Sequence, residues 1–203
     1  MTSFSERRPT SEMAVEPAID ETSGEGHLLL VCIDMQPVFV RAVAEGPRVQ
    51  SRCGFAVAAA VGLGIPIQFT EQAPERLGGT APELISLAPK AGVWGKKTFS
   101  ALGDETIRAT LTRSSAEHLL LCGVETSVCV YQTAVAALSQ GLQVTILSDA
   151  VGARRPDDAR VCLDALARLG ANVLPSETVF YALLRDITHP FFKPYTQLVK
   201  SHG

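Results

Sequence analysis

LLCGVETSVCVYQTAVAAL, from Leu120 to Leu138, begins as an unbroken apolar run, passes a glycine, and ends with apolar residues at helical spacing. Its start, read with the residues before it as EHLLLCG, has the pattern of a buried strand, because strands covered on both faces are continuously apolar rather than alternating. Its continuation, TSVCVYQTAVAALSQG, carries apolar side chains three and four apart and closes on Gly141, as a helix does. A strand running straight into a helix is half of a βαβ unit. Cys129 stands at the junction.

The same alternation extends to both sides. HLLLVCID, from His27, reads as a buried strand ending in Asp34, and RVQSRCGFAVAAAVGLG as a helix closed by Gly62 and Gly64. IPIQFTEQ is a second strand. It opens a Pro/Gly-rich loop, APERLGGTAPEL, and AGVWG follows as a short strand. Asp104 is placed to cap the helix ETIRATLTRS. LQVTILSD is a strand, Asp157 or Asp158 starts the helix ARVCLDALARLG, ANVLP is the last short strand, and helical material fills the C-terminus. Strands alternating with helices predict a three-layer, Rossmann-like α/β fold. A central parallel sheet of order 3-2-1-4-5-6 would carry helices on both faces. Ligands bind such sheets beyond the carboxyl ends of the strands, where the order reverses. That point lies between strands 1 and 4, so Asp34 and the turn leading to Cys129 are expected to face one crevice.

A chain of 203 residues suffices for one domain with a substantial core. Residues 1–25 are rich in Ser, Thr, Glu, Pro and Gly and lack periodicity, so they are expected to be a mobile tail before a domain spanning 26–203. The formal net charge of -3 argues against nucleic acid and anionic membrane surfaces as partners. No apolar stretch is long enough to span a bilayer, and the N-terminus lacks the pattern of a secretory signal, which predicts a cytoplasmic protein. Five cysteines, an odd number in such a compartment, are expected to be reduced thiols.

With Thr126 as N-cap, Cys129 falls in the first turn of its helix, where free N–H groups and the dipole favour thiolate. The dipole supplies about 0.3–1 kcal/mol. One pKa unit takes about 1.4 kcal/mol, so a neighbouring cation or base is required as well. Given one, Cys129 would be the most readily alkylated of the five. Cys32 and Cys122 within apolar strands, and Cys53 and Cys162 on helix faces, read as inert. Asp34 ends an otherwise apolar strand, and a carboxylate there needs a partner or a task. In GVWGKKTFSAL, one of the adjacent Lys96 and Lys97 can point inward while the other meets solvent.

Taken together, these segments resemble the isochorismatase-like cysteine hydrolases, whose catalytic triad is Asp, Lys and Cys. LLLVCIDMQPVF resembles the family's first strand with its acid, and KKTFSAL its lysine, four residues before a Ser that follows an aromatic. That spacing selects Lys96 over Lys97. LLLCGVETSVCVYQTAVAALSQGLQVTILSDA resembles the nucleophile segment. FTEQAPERLGGTAPEL, RLGANVLPSETVFYALL and HPFFKPYTQLVK are similar to the branch of isochorismatase domain-containing proteins. The resemblance implies Cys129 as nucleophile, Asp34 as general base and Lys96 as the adjacent cation. It also implies an oxyanion hole from the backbone N–H groups of Glu125 and Cys129, with a cis peptide between Val124 and Glu125. Phe39 would be the pocket aromatic, with Gln72, Leu77, Trp94 and Phe99 as further lining, while the aromatics of HPFFKPY serve packing or subunit contacts.

Nicotinamidases of the family bind a metal through an Asp/His cluster after strand 2. Here that loop, TEQAPERLGGT, has no histidine, and His27, His118, His189 and His202 lack ligand spacing. Neither metal nor cofactor is expected. The presence of Cys129 favours amide chemistry over vinyl-ether cleavage. The implied function is a metal-independent cysteine hydrolase that cleaves a small amide or related C–N bond through a thioester, as a homo-oligomer acting on a small molecule. Two alternatives stand beside it. One is a binding or scaffolding protein without turnover. The other is a thiol redox protein, which has no Cys-x-x-Cys pair and would need Cys122 or Cys32 as resolving partner.

Overall fold

A computed structural model describes residues 28–202; the tail expected at 1–25 lies outside the described residues. The first half of the chain runs β1 (Leu28–Ile33), α1 (Pro37–Val40), α2 (Gly46–Gly62), β2 (Ile67–Gln72), α3 (Pro74–Leu77), α4 (Pro82–Leu87) and β3 (Gly92–Lys96). The second half runs α5 (Glu105–Arg113), β4 (His118–Val124), α6 (Tyr131–Ser139), β5 (Gln143–Gly152), α7 (Pro156–Arg168), β6 (Asn172–Leu174), α8 (Ser176–Leu184) and α9 (Phe192–His202). The six strands form one parallel sheet in the order β3-β2-β1-β4-β5-β6, which is the predicted topology.

Alternation along β1 feeds two cores. Leu30 and Cys32 join Phe55, Phe180 and Tyr195 beneath α2, α8 and α9. Leu29, Val31 and Ile33 join Ile107, Leu111, Ala134 and Leu166 beneath α5, α6 and α7. Each fully buried Leu or Phe contributes about 1.5–3 kcal/mol of transfer free energy. That double coverage explains why these strands read as unbroken apolar runs.

Three local details differ from the sequence reading. The segment expected as an open loop after β2 winds into α3 and α4, and α7 begins at Pro156, with Asp157 and Asp158 in its first turn rather than ahead of it. In all three helices a proline occupies the first helical position, where its missing N–H has no intrahelical partner to lose. The helix of Cys129 opens as a π-helical turn, Thr126–Val130, before α6. Asp104 does cap α5, its side chain accepting from the N–H groups of Thr106 (3.0 Å) and Ile107 (3.2 Å).

Gly123 brings β4 against β1 at the crevice. Its φ is +112°, and a Cβ there would stand 2.1 Å from the Ile33 carbonyl oxygen. Gly123→Ala is therefore expected to combine an overpacking cost of about 1–3 kcal/mol with a backbone cost of about 1–3 kcal/mol. A fall in the urea midpoint at unchanged slope checks this; an unaltered midpoint would show that the two strands can part without loss.

Candidate active site

Three strands bring the expected acid, lysine and cysteine together. Asp34 follows β1 directly, with φ at 52°, a left-handed conformation that Asp tolerates better than most residues. Its N–H donates to the Thr70 carbonyl at 3.0 Å, which ties it to β2. The carboxylate is enclosed: Oδ1 accepts from the Thr70 hydroxyl at 2.8 Å and Oδ2 from Lys96 Nζ at 2.7 Å. Lys96, at the end of β3, is 2% exposed, whereas Lys97 beside it is exposed. Pleating thus turns inward Lys96, the lysine implied by the resemblance to the family's motif. Its ammonium also donates to Gln72 Oε1 at 2.7 Å and lies 3.3 Å from the carbonyls of Thr98 and Phe99. Cys129 Sγ is 3.7 Å from the same nitrogen.

The turn that presents Cys129 differs from the expected N-cap. Thr126 does not cap; its hydroxyl is buried with no hydrogen-bond partner among the described residues, and Glu125 precedes the π-helical turn. The Val124–Glu125 peptide is cis. Burial first, and then the negative charge of Asp34, push the Cys129 thiol up to about 12, while the Lys96 ammonium and a hydrogen bond from the Glu125 backbone pull the other way. The resting sulfur is therefore a neutral thiol next to a carboxylate. Withdrawal from water and the Asp34 charge thus work against the ready thiolate expected from the helix terminus and the cation.

A cavity of about 370 Å³ opens above these groups. Phe39, Gln72 and Phe99 line it, together with Glu125 and Cys129. Leu77 does not: its segment winds into α3, and Gln72, just before that turn, reaches the cavity instead. Trp94 is turned aside as well, its indole N–H donating to Gln68 Oε1. The remaining wall is apolar, from Val38, Ala42, Val43, Val124 and Val128, with Arg154 as its cation.

The sequence reading missed Thr70, Gln36 and Arg154. Thr70 fixes Asp34, as described. Gln36 clamps the Gln72 backbone, accepting from its N–H at 2.7 Å and donating to its carbonyl at 3.1 Å. Arg154 Nε donates to Glu125 Oε2 at 2.8 Å, which braces the turn carrying the cis peptide. A polar residue closing an apolar strand is the signal that marks Asp34; Thr70, which stands among Gln68, Glu71 and Gln72 in IPIQFTEQ, carries it only weakly. Arg154 carries none, since it meets Glu125 only through the β4–β5 pairing.

A reactivity test follows from the neutral thiol. Brief iodoacetamide treatment near neutral pH should label the half-buried Cys162 at least as fast as Cys129. Labelling of Cys129 should rise about tenfold per pH unit, since a thiol held near 12 gains thiolate all the way up that range. Peptide mapping across alkaline pH checks this; a Cys129 rate already at its plateau near pH 7 would contradict the raised thiol.

Residues 28–178 match the isochorismatase domain. The chain belongs to the isochorismatase domain family. It is 34% identical to mouse isochorismatase domain-containing protein 2A over 176 residues, covering 87% of this chain and 84% of that protein. A secreted isochorismatase effector, Isc1, of Phytophthora sojae is 34% identical over 179 residues, 86% of this chain and 85% of its own. Among solved structures, one titled MAR1 ribonuclease from Caenorhabditis elegans superposes with a TM-score of 0.81 at 29% identity, covering 87% of this chain and 91% of that one. Family membership accounts for the α/β fold and places the chain among isochorismatase-like hydrolases.

Proposed function

We propose that this family member is a metal-independent cysteine hydrolase, cleaving a small amide or related C–N bond through a thioester on Cys129. The observation that carries the reading is the unbroken contact from Asp34 through Lys96 to the Cys129 sulfur, buried beneath an apolar cavity. As the substrate carbonyl settles against the sulfur, the thiol proton passes to Asp34 and the sulfur–carbon bond forms. The oxyanion is held by the backbone N–H groups of Glu125 and Cys129. Collapse breaks the C–N bond, and the departing nitrogen takes the proton from Asp34. Water, deprotonated by Asp34, then attacks the thioester; the acid leaves and the sulfur regains its proton. Lys96 pairs with Asp34 and offsets charge on the sulfur, while Thr70 and Gln72 hold acid and lysine in register.

The valine and phenylalanine walls favour an apolar acyl group of modest size. Arg154 is already paired with Glu125, so a polyanionic substrate meets no free cation among the lining residues. For that reason the ribonuclease name of the nematode neighbour is not carried over. The small-molecule reading, the homo-oligomer, the residue 1–25 tail and the cytoplasmic setting remain parts of this proposal. Among the described residues no helix is long and apolar enough to cross a membrane.

A panel of small amides, scored for ammonia release and for acyl mass on the Cys129 peptide, tests the reading, with single-stranded RNA as a parallel substrate. Ammonia release with a trapped acyl group on Cys129 is expected. Hydrolysis of RNA in place of amides, or a panel that is bound without product, would replace the proposal with the ribonuclease or the binding-protein reading respectively.

A further inference from the structure

A sulfur cluster lies on the opposite side of the sheet from Cys129. Register sets Cys32 of β1 directly beside Cys122 of β4, and both side chains point toward α2, which supplies Cys53. All three are 0% exposed, and their Sγ atoms lie within 4.8 Å of one another. Cys53 Sγ donates to the Ala150 carbonyl at 3.1 Å. Sulfur–metal bonds of about 2.3 Å in a trigonal plane separate the sulfurs by about 4.0 Å, and a pyramidal centre needs somewhat less. The three thiols thus lie within reach of the spacing that three-coordinate ligation requires.

Charge decides what such a site would take. Two acids lie close to these sulfurs: Asp34, two residues after Cys32, and Asp149, next to the Ala150 carbonyl that accepts from Cys53. Each acid already has its cation: Lys96 stands at 2.7 Å from Asp34, and Arg52 at 2.6 Å from Asp149. With both cations so paired, neither supplies a spare positive charge to hold a thiolate, so an entering ion must bring its own. A monovalent soft ion on three thiolates leaves two negative charges in a dry core, and a divalent one leaves one. Structural zinc also takes a fourth ligand. A trivalent thiophilic centre leaves none.

We infer that Cys32, Cys53 and Cys122 form a three-sulfur site for a trivalent thiophilic ion, for which As(III) is the probe. The exchange balances without oxidation or reduction. Arsenous acid, As(OH)₃, loses its three hydroxides, the three thiols lose their protons, three As–S bonds form, and three waters leave. The site is separate from the catalytic thiol and holds whether or not Cys129 turns over substrate.

The test uses the full chain in a thiol-free reductant, both incubated with arsenite and refolded in its presence. Refolding removes access to the buried sulfurs as an obstacle. In the double variant Cys129→Ser/Cys162→Ser, Cys32, Cys53 and Cys122 are the cysteines that remain. After desalting, it should retain one arsenic per chain, with three sulfur neighbours by X-ray absorption and a raised urea midpoint. Cys53→Ala and Cys122→Ala, each made in that background, should lose stoichiometric retention. No arsenic retained by the refolded double variant would overturn the inference. So would retention that requires Cys129 or Cys162, or a sulfur count below three.

Discussion

Cys129→Ala should abolish amide turnover, by roughly 10⁴-fold or more, because Cys129 carries the one thiol among the described residues that line the cavity. Folding should survive: the side chain is small, and its loss removes an acid-bearing group from the neighbourhood of Asp34 rather than exposing a new one. Cys129→Ser should fare little better, since an alcohol is harder to deprotonate than a thiol and the same burial opposes its anion. Asp34→Asn added to Cys129→Ala should cost almost nothing further in rate, as groups that act as one unit give non-additive losses. Residual turnover in Cys129→Ala within about tenfold of wild type would move the nucleophile elsewhere and remove the thioester from the mechanism. Single-turnover assays with acyl trapping by mass spectrometry separate these outcomes.

The second large effect is on stability. Asp34 and Lys96 are both buried, 2.7 Å apart, with side-chain exposures of 2% and 0%. Removing one member leaves the other as an uncompensated charge in the core, a loss of about 3–5 kcal/mol for a buried pair. Lys96→Met and Asp34→Asn should each lower the urea midpoint by that measure. The double variant should recover much of the loss, because an uncharged pair of similar volume has no charge left to solvate. Activity should be lost in all three. Lys97→Met should leave both stability and activity near wild type, since its side chain is exposed. Additive losses in the double variant would show that the two charges do not depend on each other. The candidate triad would then lose its electrostatic link.

Much of the site was legible because the chemistry-bearing residues break local patterns. Asp34 ends an otherwise apolar strand and Cys129 sits where strand periodicity gives way to helix periodicity, whereas local pattern left Lys96 and Lys97 level and only the resemblance to the family's lysine segment chose Lys96. Leu77 was misjudged because a proline-rich segment reads as loop, although proline at a first helical position starts a turn readily. Thr126 was misjudged for a related reason. A capping residue type suits several positions, and the geometry of the π-helical turn selects among them.

The sequence by itself determined the order of the strands and of the long helices between them, the two-faced burial of the sheet, and the crevice at which Asp34 and Cys129 meet. Periodicity and chain connectivity are local properties, and right-handed parallel crossovers leave few topologies to choose from. Only the tertiary structure decided that Cys129 rests as a thiol, because desolvation sums over every neighbour that excludes water. It alone brought Thr70 to Asp34 and Arg154 to Glu125. It alone gathered Cys32, Cys53 and Cys122, spread over ninety positions of chain, into one cluster. Such contacts follow from strand register and helix seating, which no window of sequence contains.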